Sequence, residues 1–142
     1  AVSAPVALVA GTAQTPVISY ASTSQELADA ATYPYFSRTC PSDSVTARAI
    51  IEVCKQLGWQ HISFLVVDDS YGRSFKQDLE TSASHVGINV AVSAKYLFSD
   101  VNTIRKGVAG IRESGVRVII VVAFEDDIEL ISRVAEEEGV RD

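Results

Sequence analysis

Three short segments of this chain carry side chains able to hold a small ligand. The first is Ala21-Ser22-Thr23-Ser24. Its hydroxyls and backbone N–H groups make a compact donor set that suits a carboxylate, and a Ser or Thr oxygen also accepts from an ammonium. An ordinary Ser/Thr-rich turn has the same composition. The second is Asp68-Asp69-Ser70-Tyr71-Gly72. Tyr71, at a helix start, can lay its ring over a ligand and favour a cation; a helix cap with a packing tyrosine accounts for the same residues. The third is Phe124-Glu125-Asp126-Asp127. Here Glu125 can answer a ligand ammonium and Phe124 can wall a cleft, while the three acids equally suit the positive end of a helix dipole.

Each segment follows a predicted strand. A helix opens at Val2-Ser3-Ala4-Pro5, since proline is tolerated in a first turn, with Val6, Val9 and Ala10 on its face and a decay at Gly11. Val17 to Tyr20 and Tyr35 to Thr39 read as short strands around a polar, turn-rich stretch. Beyond Pro41 the pattern is regular. Ser42-Asp43 can cap a helix in which Val45, Ala49, Ile50, Val53, Cys54 and Leu57 recur at helical spacing, and Gly58 stops it. Strands follow at Ile62 to Val67, Ile88 to Leu97 and Val116 to Phe124. The helices between and after them carry Phe75, Leu79, Ala83 and Val86, then Val101, Ile104, Val108 and Ile111, then Ile128, Ile131, Val134 and Ala135.

Helix and strand alternating at short intervals predict an α/β fold, a doubly wound parallel sheet with helices on both faces. The apolar run Val116 to Val122 is expected to be covered on both sides. In such sheets ligands bind beyond the carboxyl ends of the strands, where all three segments fall. The irregular stretch from Ala21 to Pro41 separates two composition regimes, with a crossing between two lobes expected near Thr39 to Ser42.

Composition narrows the function. The chain has 142 residues, 47% of them hydrophobic, and a net charge of −6. That is enough for a real core, and an acidic chain gains nothing from a phosphate backbone, so no nucleic acid partner is expected. The longest apolar run is far short of the ~20 residues of a membrane helix. The chain does not start with Met and has no basic-then-apolar leader, so it reads as a trimmed piece. There is no dinucleotide-binding glycine motif, P-loop, nucleophile elbow or His-Glu-x-x-His. His61 and His85 are single and far apart, which gives no metal site. No enzyme activity and no cofactor are expected. Cys54 falls on an apolar helix face and reads as a small core residue; whether it bonds Cys40 stays open. A phospho-acceptor receiver, with Asp68-Asp69 at a strand end, is disfavoured because the chain opens with a helix and has no acids after Tyr20.

Longer runs carry a family resemblance. Pro16-Val17-Ile18-Ser19-Tyr20-Ala21-Ser22-Thr23-Ser24 through Asp29, Tyr33-Pro34-Tyr35-Phe36-Ser37-Arg38-Thr39-Cys40-Pro41-Ser42-Asp43-Ser44, Ala47-Arg48-Ala49-Ile50, Leu57-Gly58-Trp59 and Asp68 to Ser74 keep order and spacing over nearly the whole chain. Together they resemble the receptor-family ligand-binding region, the type I periplasmic-binding-protein-like "Venus flytrap" domain. That domain occurs in metabotropic glutamate and GABA-B receptors, ionotropic glutamate receptor amino-terminal domains, natriuretic peptide receptors and bacterial amino-acid binding proteins. The run Ser19 to Ser24 is most similar to the metabotropic and GABA-B branches, and Val67 to Arg73 to plant-type glutamate receptors.

The resemblance implies a fragment of a two-lobe clamshell on the extracellular side of a plasma membrane, or in a periplasm for a bacterial protein. Residues 1–40 would belong to the first lobe and 41–142 to the second. The lobes would close on an amino acid or an analogue and signal to a membrane module outside this chain, with a homo- or heterodimer formed through the first lobe. By resemblance to the metabotropic branch, Ala21 would offer backbone groups, Thr23 its hydroxyl and N–H, Tyr71 a stacking ring from the opposite lobe and Glu125 a cleft acid. By resemblance to the GABA-B branch, Thr23, Cys40 and Phe124 would line the cleft, although Cys40 stands where that branch has a polar residue. The family's carboxylate-gripping Ser pair would lie before Ala1. A dimerising domain that binds no ligand and a soluble solute-binding protein are the competing readings.

Overall fold

The computed structural model describes residues 2–140. Two compact units divide between Ala47 and Arg48. The first contains α1 (Ser3–Thr12), β1 (Val17–Ser19), a short 3-10 helix (Gln25–Ala28) and β2 (Phe36–Arg38). β1 and β2 pair in parallel, with Val17 opposite Phe36 and Ser19 opposite Arg38. Pro5 sits in the first turn of α1, where its missing N–H costs nothing. Ala7, Leu27 and Tyr33 form a small core, flanked by Ala4 and Phe36. The Tyr33 hydroxyl donates to Glu26 Oε1 at 2.7 Å, and this bond, ahead of burial, holds the phenol above its ordinary pKa.

The inward face of α1 is therefore Ala4 and Ala7, whereas Val6 and Val9 are exposed. The helix also runs through Gly11 to Thr12, and the left-handed turn after it falls on Gln14.

α2 (Asp43–Gln56) crosses the division between the units. The second unit continues with β3 (His61–Val67), α3 (Ser70–Val86), β4 (Asn89–Tyr96), α4 (Val101–Glu113), β5 (Ile119–Val122) and α5 (Glu125–Glu137). The sheet order is β4-β3-β5, all parallel. The fold class expected from the sequence holds: parallel sheets with alternating helices and strands.

β3 is the centre of this unit. It has a strand on each side, and every residue from Ile62 to Val67 is buried. Leu65 and Val67 point to one face, where Tyr96, Ile104, Val108, Ile111, Ile131 and Val134 complete a core with α4 and α5. Side chains alternate along a strand, so Phe64 and Val66 point to the other face. Gly107 lets α4 lie close to the sheet, since a β-carbon there would press into Leu65 and Ala94.

Left-handed glycines follow the ends of α2, α3, α4 and α5, at Gly58, Gly87, Gly115 and Gly139, the first of them as expected. Three other expectations need correction. In α2 Cys54 is buried as expected, but its apolar companions are Ala47 and Ile51, while Val45, Val53 and Leu57 are exposed. Both sets recur at helical spacing, so periodicity alone defines two stripes and packing selects one. In α5, Ile128 is likewise exposed. The run Val116 to Val122 is an edge strand in this sheet, only four residues long, with Val121 exposed; the strand covered on both faces is β3.

Candidate functional site

In the first unit, residues 20–24 form a loop at the carboxyl end of β1 that is tied down from several directions. The Ser19 hydroxyl accepts from the Ser22 N–H at 3.0 Å and donates to the Ser22 hydroxyl at 2.7 Å. The Ser22 hydroxyl also meets that of Ser3 in α1. One Arg38 nitrogen donates to the carbonyls of Ser22 at 3.2 Å and Ser24 at 2.8 Å. Such a guanidinium staple is stronger than a neutral hydrogen bond. The Thr23 carbonyl accepts from the Asp43 N–H at 2.9 Å.

Thr23 and Arg38 act on the Asp43 carboxyl as well. Asp43 is buried at the first turn of α2. Burial raises its pKa, against the opposing pull of the Thr23 hydrogen bond and the Arg38 charge. Ala21 is exposed, while Ser22 and Thr23 are half-buried. The loop is thus rich in hydroxyl and peptide groups, and its backbone is pinned by contacts within the unit. Cys40 follows β2 at the same edge, half-buried and unbonded; Cys54 is also free, and burial pushes its thiol up.

In the second unit the parallel strands bring several groups to one edge. Tyr71 lies in the first turn of α3, after β3. Asp69 caps that helix, its Oδ1 accepting from the Gly72 N–H at 2.7 Å. A β-carbon at Gly72 would overlap the Val67 carbonyl oxygen, so only glycine lets α3 start this close to β3. Phe124 follows β5 and precedes Glu125, the first and exposed residue of α5. The rings of Tyr71 and Phe124 lie 6.0 Å apart, and Phe75 sits 5.9 Å from Tyr71 on its other side. Asp68 is held by Arg73 at 3.0 Å and Lys95 at 3.5 Å. The Arg73 bond is the main reason that its carboxyl lies below the ordinary pKa.

Three residues of these edges escape the sequence reading. Arg38 and Asp43 stand in the quoted runs, but no role follows from a strand-end arginine or a helix-capping acid until their partners are known. The third is Phe98, whose ring meets Phe124 edge-on at 5.9 Å. The rule that selects the loops after β1, β3 and β5, applied to β4, leads to Phe98-Ser99-Asp100. Among the described residues no group of His, Cys, Asp and Glu is placed to hold a metal ion, and no helix is long and apolar enough to cross a membrane.

The sequence has known relatives. A family model described as the receptor family ligand binding region matches residues 1–142. The chain belongs to that family. It is 34% identical to metabotropic glutamate receptor 4 of Mus musculus over 125 residues, which cover 84% of the chain and 14% of the relative. It is 36% identical to metabotropic glutamate receptor 6 of Oryctolagus cuniculus over 116 residues, 80% of the chain and 13% of the relative. Metabotropic glutamate receptor 8 of Homo sapiens is 34% identical over 123 residues, again 84% and 14%. The chain thus spans about one seventh of the length of these relatives. They are receptors rather than enzymes, and the resemblance found in the sequence to a receptor ligand-binding region is borne out.

The two site carboxyls should titrate in opposite directions from the ordinary aspartate value of about 3.9. A carbon-detected NMR titration is expected to place Asp43 above it and Asp68 below it. Asp68 then contributes stability above the ordinary value that is lost as pH falls through its depressed one. Asp43 does the reverse, its burial costing stability as pH rises through its raised value. Midpoints in the opposite order would contradict the geometry of both loops.

Proposed function

We propose that this chain is part of the extracellular ligand-binding region of a membrane receptor, and that two lobes close on an amino acid or a similar small ligand. Residues 1 to about 40 supply part of the first lobe, and about 41 to 142 supply the second. The observation that carries this reading is the chemistry of the two loop edges. One is a backbone loop rich in hydroxyl and peptide groups, pinned by Arg38. The other is an aromatic edge beside an exposed acid, Glu125. A zwitterion needs donors for its carboxylate and an acid or aromatic face for its ammonium. The named relatives, all metabotropic glutamate receptors, support an amino-acid-like ligand.

In this account Ala21 and Ser22 offer backbone and hydroxyl groups, Thr23 its hydroxyl and N–H, Tyr71 a stacking ring, Glu125 an acid, and Phe124 and Cys40 parts of the wall. Closure works because the ligand binds the closed state better than the open one. The membrane module that reads closure lies outside these residues.

Calorimetry of the full-length protein with a panel of amino acids tests the reading. At least one should bind. Thr23→Ala is expected to weaken it by about 1–2 kcal/mol, roughly 5- to 30-fold, and Thr23→Ser to restore it. Tyr71→Ala should cost at least as much, with Tyr71→Phe close to the natural protein. Binding that ignores both alanine variants would place the ligand elsewhere.

A second copy pairing through the first lobe is supported by α1. Val6 and Val9 recur at helical spacing along it, and Val9 is 69% exposed. A row of exposed apolar residues at helical spacing is the usual mark of a helix that meets a partner. Sedimentation of the full-length protein carrying Val6→Glu and Val9→Glu should show loss of dimer. Unchanged association would assign the pairing to other residues.

A further inference from the structure

We infer that Phe98 completes a wall of three aromatic rings that selects an amino acid with an apolar or aromatic side chain over an acidic one. This rests on the proposed reading of the carboxyl edge of the second unit as one side of the ligand cleft. Each of the three adjacent strands contributes one ring: Phe98 after β4, Tyr71 after β3, Phe124 after β5. β4 and β5 lie on opposite sides of β3, so the loop carrying Phe98 has to reach over the end of the central strand to touch Phe124. The three rings touch in series and still remain 37%, 40% and 54% exposed at Tyr71, Phe124 and Phe98.

The loop that presents Phe98 is built, not loose. The Ser99 N–H and hydroxyl donate to Asp127 Oδ1 at 3.1 and 3.3 Å, and Asp127 is fully buried. The Leu97 N–H donates to the Thr103 hydroxyl at 2.9 Å, and the Asp100 N–H to the Leu97 carbonyl at 3.0 Å. Ser99 takes a left-handed φ of 56° to make the turn, a conformation a non-glycine residue keeps only where its surroundings impose it. Asp127 is thus a positioning residue: it fixes the turn, and the turn aims Phe98 at Phe124. Ring pairs at such separations stack edge-on or offset, and a third ring or a branched aliphatic chain extends the same packing.

Charge on this edge argues against an acidic side chain. Lys95, one residue before the end of β4, and Arg73, in the first turn of α3, both lie against Asp68. Asp100, Glu125 and Asp126 add negative charge at the starts of α4 and α5. A ligand carboxylate leaning on this wall would be repelled, and an uncharged side chain would gain the ring contacts.

Radioligand binding to the full-length protein in membranes, with L-phenylalanine, L-leucine, glycine and L-glutamate, tests the inference. L-phenylalanine and L-leucine should bind more tightly than glycine and L-glutamate. Phe98→Ala should weaken L-phenylalanine roughly tenfold and leave glycine within about twofold, with Phe98→Leu between the two. Tighter binding of L-glutamate than of L-phenylalanine overturns the selectivity while leaving the proposed function intact. So does a Phe98→Ala variant that weakens all four ligands equally, or none. If none of the four binds even to the natural protein, the ligand-cleft reading fails and the inference falls with it.

Discussion

A parallel strand cannot turn straight back to pair with its neighbour; the chain must first cross a face of the sheet, usually as a helix. Every strand pairing among the described residues is parallel. Within each unit, then, every loop that leaves a strand leaves from the same edge. That constraint gathers Ser19 to Ser24 and Cys40 at one edge of the first unit. It gathers Tyr71, Phe98 and Phe124 at one edge of the second. Helix starts follow at once, so α3, α4 and α5 all point their positive ends to that edge. Asp69 and Asp100 accept hydrogen bonds from their first turns, and three acids open α5. The acidity of the edge is a consequence of this capping as well as a feature a ligand would meet.

The two edges are stiffened by different means. In the first unit, the loop after β1 is fixed by polar contacts: Arg38 on two carbonyls, Asp43 on Thr23, and a chain of serine hydroxyls. In the second, stiffness comes from the core. β3 is buried along nearly its whole length, Gly72 lets α3 abut its last carbonyl, and Asp127 reaches from α5 to the loop after β4. Tyr96 lies buried beneath that loop. Burial, and then the Asp127 carboxylate, push its phenol above the ordinary range.

The order of elements was readable because helix stops, caps and apolar periods agree with one another. Left-handed glycines follow α2, α3, α4 and α5, and Asp69 and Asp100 cap α3 and α4. What periodicity leaves undecided is which of two stripes packs inward. α2 buries Ala47, Ile51 and Cys54 rather than Val45, Val53 and Leu57, and α1 turns its alanines inward and its valines outward. Both choices depend on partners distant in sequence. At the candidate site, segments chosen by type and by the strand-end rule were visible from residues alone. Arg38, Asp43 and Phe98 were not, because each gains its role from a contact with a residue distant in sequence: Arg38 to Ser24, Asp43 to Thr23, and Phe98 to Phe124. Family membership needs the ordered runs of residues together, since no single motif here is specific.

The most direct measurement of the central claim is the pattern of backbone amide shifts in the isotope-labelled complete ligand-binding region when a bound amino acid is titrated in. The account predicts that perturbed amides cluster in the loops after the strands, at residues 20–24, 68–72, 97–100 and 123–126. It also predicts that the opposite end of the second sheet, at Trp59, His61, Asn89 and Arg117, stays unperturbed. Shifts concentrated around those four residues, with the strand-end loops unchanged, would contradict it.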